Sequence, residues 1–70
     1  MAAYKVLLAW DKDAYVWLAS SRDVPGLALE AGSLDVLMER VKYAVPDLLG
    51  LKNTDIKIDF RAECLTEIHV

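Results

Sequence analysis

Residues 32–50 read GSLDVLMERVKYAVPDLLG, and the fold turns on this stretch. Leu34, Leu37, Met38, Val41, Ala44, Val45, Leu48 and Leu49 recur at steps of three and four, the spacing that lines apolar side chains along one stripe of an α-helix. Asp35, Glu39, Arg40 and Lys42 fall elsewhere on the wheel. Gly32 and Ser33 break the preceding segment. Ser33 offers a hydroxyl to the unpaired N–H groups of the first turn, and Asp35 suits the positive end of a helix. The helix therefore begins at about Leu34. Pro46 has no N–H and crowds the carbonyl four residues earlier, yet the apolar spacing persists beyond it. The reading is a kinked continuation to Leu49, closed by Gly50.

Downstream, Ile56, Ile58, Phe60, Ala62 and Cys64 alternate with Lys57, Asp59, Arg61 and Glu63, the pattern of a strand with one buried and one wet face. Thr66 to Val70 prolongs that strand or frays. Upstream, Val24-Pro25-Gly26-Leu27 sets Pro and Gly at the two central positions of a type II turn, where Pro fixes φ and Gly accepts a positive φ. Asp23, Pro25 and Gly26 are read as structural turn residues. A short strand, Leu27 to Ala31, leads from this turn to the helix.

Further upstream, Tyr4 to Trp10 and Ala14 to Ser20 are rich in β-branched and aromatic residues and flank the polar Asp11-Lys12-Asp13. They form a hairpin. With a three-residue loop, Val16 and Leu18 join Val6 and Leu8, leaving Leu7, Tyr15 and Trp17 on the opposite face. A two-residue loop slips the register and swaps those partners. The order is β-β-β-α-β: an α+β fold with a four-stranded, mainly antiparallel sheet and one helix packed on one face. The helix makes a right-handed crossover from the third strand to the fourth.

One helix covers one sheet face only. The other would carry Leu7, Ala9, Tyr15 and Trp17, of which Leu7, Tyr15 and Trp17 are the candidate partner-binding or oligomer-interface residues. The chain has 70 residues, near the lower size at which a domain buries a useful core, so self-association is a natural source of added stability. A homo-oligomer, or a complex with a protein partner, is expected.

Composition narrows the function classes. Hydrophobic residues make up 56% of the chain, which indicates a folded domain over residues 1–70. No apolar run is long enough to span a bilayer, and no basic leader with a cleavage site precedes the first strand, so no membrane partner and a cytoplasmic location are expected. The single cysteine, Cys64, excludes an internal disulfide or a multi-cysteine metal site, and no cofactor is expected. With a net charge of −3 and its cations scattered among acids, the chain lacks the electrostatic footprint of a nucleic-acid binder. A basic protein is the partner its charge would attract.

The hairpin with Asp11 to Asp13 and Tyr15, the turn Asp23-Val24-Pro25-Gly26-Leu27, and Glu30 to Leu34 leading into the helix together resemble the N-terminal domain of HicB-type antitoxins, in a compact bacterial branch of that group. The resemblance spans about Tyr4 to Leu51. It implies a truncated ribonuclease-H-like fold that binds and blocks a small basic RNA-cleaving toxin. Such antitoxins usually continue into a DNA-binding module. None is expected here, since the chain stops at Val70.

Catalysis is not expected. A two-metal nuclease site of the ribonuclease-H type needs clustered carboxylates, one of them from the middle of the first strand. Tyr4 to Trp10 holds no acid, and Asp11, Asp13 and Asp23 lie in turns, where acids cap or are solvated. Cys64 falls on the apolar face of its strand, the ordinary place for a small buried thiol, and His69 sits beside the C-terminus as a solvated imidazole. Two function classes follow: an antitoxin-like inhibitor, or a stand-alone homo-oligomeric interaction module unrelated to toxins.

Overall fold

The computed structural model describes residues 3–52 and 55–63; Cys64, Thr66 and His69, whose roles the sequence suggested, lie outside these. The elements are β1 (Ala3–Asp11), β2 (Val16–Ser20), β3 (Ala28–Ala31), α1 (Leu34–Leu49) and β4 (Lys57–Glu63). They build the expected α+β fold. The sheet order is β3-β2-β1-β4, with β2 antiparallel to both neighbours and β4 parallel to β1. The connection through α1 thus carries the chain from one sheet edge to the other.

The helix runs through Pro46 and ends at Gly50, whose φ of 68° lets the backbone reverse. Leu51 N–H then donates to the Pro46 carbonyl at 2.9 Å. Ser33 takes the extended backbone of an N-cap, and its carbonyl accepts from Leu37 N–H at 3.0 Å. Its side chain makes no capping bond, contrary to the expected hydroxyl cap. Leu37, Val41 and Val45 are fully buried against Val6, Leu8, Ala19, Val24, Leu27 and Ala31.

The hairpin departs from the expected register, for a local reason. Asp11 ends β1 rather than entering the loop, and its carboxylate accepts the N–H of Asp13 at 3.0 Å and of Ala14 at 3.3 Å. That side-chain turn needs one further residue with positive φ to re-enter the ladder, and Tyr15 supplies it at φ 55°. The loop therefore has four residues, 12–15, and Trp10 pairs with Trp17, Leu8 with Ala19 and Leu7 with Ser20. A three-residue loop would set Leu8 opposite Val16 instead. The odd displacement turns β2 over: Trp17 and Ala19 face the helix, while Val16 and Leu18 face away from it.

The Val24–Leu27 turn forms as read from sequence. Leu27 N–H donates to the Val24 carbonyl at 3.2 Å, and Gly26 has φ 87°. A longer connection holds it in place. The Ser21 hydroxyl donates to the Lys5 carbonyl and accepts from the N–H groups of Asp23 and Val24, at 3.0 and 3.2 Å. The Asp23 carboxylate accepts from Lys5 N–H at 2.8 Å. The segment after β2 is thereby tied to β1 by side chains where the ladder has ended, and Val24 is driven into the core at 0% exposure.

Candidate functional site

Of the three residues singled out as interface candidates, the structure keeps Leu7 on the helix-free face, sets Tyr15 at the hairpin turn and moves Trp17 to the other side. Trp17 does not lie on the helix-free face; it is half-buried on the helix side and packs against the core. Its ring stands over that of Trp10, centroids 5.5 Å apart and planes at 58°. Trp10 in turn meets Tyr15 edge-on at 6.4 Å and 68°. Tyr15 projects from the hairpin turn and is 74% exposed. The three rings form a tilted stack at the hairpin end, supported below by Trp17 and open above at Tyr15. Such edge-to-face and tilted contacts hold aromatic rings in one orientation, which reduces what a binding event must order. Asp11, Lys12 and Asp13 border the stack in sequence, with Lys12 and Asp13 exposed.

Trp10 was not among the candidates. Its signal was the pair of tryptophans flanking a short polar turn, which a four-residue loop sets directly opposite each other.

Leu7 is 38% exposed, as is Leu18, and between them sits Ala9. Across the strands this face reads Glu30, Leu18, Ala9, Glu63 in one row and Ala28, Ser20, Leu7, Arg61 in the next. Asp11 and Val16 lie toward the hairpin end, and Lys5 with Asp59 toward the other end. Beyond Lys5, a shallow concavity of about 620 Å³ is bordered by Lys5, Arg22, Asp23 and Arg61. The face thus has an apolar middle, an acidic hairpin end and an opposite end where Lys5, Arg22 and Arg61 stand among Asp23 and Asp59, with Arg61 paired to Asp59 at 3.3 Å.

On the helix side, α1 packs over β2 and β3. A second concavity lies between Lys42 and Pro46 of the helix and Ile56, Ile58 and Phe60. At the β3 edge, the Arg40 guanidinium donates to the Glu30 carbonyl at 2.9 Å.

Among the described residues no polar or charged side chain is buried. No three acids, histidines or cysteines among them are grouped to hold a metal. Asp11 and Asp23, two of the acids weighed for metal chemistry, are engaged with backbone N–H groups of the turn and of β1. No helix among the described residues is long and apolar enough to cross a membrane.

No curated protein matches the chain significantly. A solved structure does: a hypothetical protein from the extremely thermophilic bacterium Thermus thermophilus, 35% identical, superposes with a TM-score of 0.72 over 99% of this chain and 100% of that one. Residues 3–69 match the profile described as Domain of unknown function (DUF1902), and the chain belongs to that family.

Proposed function

We propose that this chain is a non-catalytic protein-binding module of the HicB-type antitoxin kind, which holds a small basic RNA-cleaving toxin at the hairpin end of its sheet. The observation that carries the reading is the Trp10-Tyr15-Trp17 cluster, capped by a tyrosine that is 74% exposed, with the carboxylates of the turn, Asp11 and Asp13, between Trp10 and Tyr15 in sequence. Aromatic anchors of this type bury large areas at small entropic cost, and a ring face attracts the Lys and Arg side chains in which a basic RNA-cleaving protein is rich. Nearby carboxylates steer the same partner from a distance. The net charge of −3 acts in the same sense.

The test is co-purification from the native cell, with the wild type beside Tyr15→Ser. The expected partner is a small basic protein that cleaves RNA, is silenced by adding the wild-type chain, and is held at least about tenfold more weakly by the variant. A captured protein that cleaves RNA equally well with and without the chain would sink the antitoxin reading.

A further inference from the structure

The sheet face opposite the helix carries its charges at its two ends and its apolar residues between them. We propose that this face binds a second copy of the same chain about a two-fold axis that lies in the interface and runs across the strands. A two-fold makes one patch meet itself, so the patch must be self-complementary under the rotation. With the axis across the strands and passing between the two central rows, the end of one copy that bears Lys5 and Arg61 lies over the end of the other that bears Asp11 and Glu63. Lys5 then faces the other copy's Asp11, Arg61 faces Glu63, and Leu7 faces Ala9, while Leu18 lies over Ser20. A two-fold running along the strands between β1 and β2 fails, because it sets Glu30 of one copy on Glu63 of the other.

The size of the patch sets the strength. Four strands at about 4.8 Å spacing and at most about six residues at about 3.3 Å rise make a face of no more than about 400 Å² per copy, about half the usual share of one partner in a specific, stable interface. The dimer is therefore weak and concentration-dependent. The aromatic rings of the hairpin end take no part in it and Asp11 is the one residue named for both surfaces, so Tyr15→Ser separates this inference from the toxin-binding reading.

The experiment is sedimentation of the full chain over a concentration series, with Arg61→Glu, Glu63→Arg and the two combined. Both positions are exposed on an edge strand, and circular dichroism reports whether each variant keeps its fold. Wild type shifts from monomer to dimer. Each single reversal weakens association about tenfold, since the symmetry spoils the contact twice, and the double exchange restores it to within about threefold of wild type. Leu18→Gln abolishes association without touching charge, and Tyr15→Ser leaves it unchanged. A wild-type chain that remains monomeric up to about 1 mM overturns the proposal. So does a double exchange as weak as either single reversal.

Discussion

Gly26 carries a conformation that its neighbours cannot share. At φ 87° any side chain is strained, although there is room for one: a Cβ there would sit 3.6 Å from the Leu48 side chain, an ordinary contact. The cost of Gly26→Ala is therefore backbone strain alone, about 1 to 2 kcal/mol, read as a lower urea midpoint at unchanged slope. Ser21 is a second small residue with a large part, since its hydroxyl bonds one carbonyl and two N–H groups in the segment that leads Val24 into the core. Ser21→Ala should cost about 2 kcal/mol, whereas Ser20→Ala, one position earlier and facing the open side, should change stability by less than about 0.5 kcal/mol. Trp17→Ser separates core from surface more sharply. Trp17 packs against the core, so its loss should destabilise the domain by about 2 to 3 kcal/mol, while Val16→Ser on the open face costs under about 1 kcal/mol. Thermal melts of the two variants rank them.

At the scale of elements, helix and turn were legible because their signals are local. The three-and-four stripe from Leu34 to Leu49, Gly50 at the helix end and Pro25-Gly26 in the turn each act within a few residues, and each appears where the sequence places it. The hairpin register was not legible. It depends on whether Asp11 closes the strand or opens the loop, and on a tyrosine accepting positive φ where Gly or Asn would be the usual choice. One such choice moved Trp17 to the core side and set Val16 and Leu18 beside Leu7 and Ala9 on the open face, so the candidate site changed while the fold did not. The Ser33 hydroxyl departs from its sequence reading for a related reason: cap preference is statistical, and here the carbonyl alone engages the helix. Ser33→Ala should accordingly cost less than about 0.5 kcal/mol, below the roughly 1 kcal/mol of a bonded cap, by denaturant titration. The Arg40 guanidinium does more than its neighbours on the wheel. It occupies the Glu30 carbonyl on edge strand β3, where an unpaired group would otherwise invite another strand. Arg40→Ala is expected to raise thioflavin-positive aggregation on prolonged heating with little change in secondary structure.

For the whole molecule, the decisive feature is the parallel pairing of β1 with β4, which sets Val6 beside Phe60 and Leu8 beside Ala62. A ribosome makes β1, β2, β3 and α1 before β4, and until β4 arrives the inner strand β1 has one side unpaired. The nascent chain can form its hairpin and lay the helix on it, but it cannot close the sheet until synthesis has passed Glu63. A pairing between segments so far apart in the chain has a high loop-closure cost and makes the final step the slow one. Refolding should therefore show a fast phase that reports the Trp10 and Trp17 environment at the hairpin, followed by a slower phase that reports Phe60. In the cell, the open side of β1 is the part of the nascent domain that chaperones would have to shield.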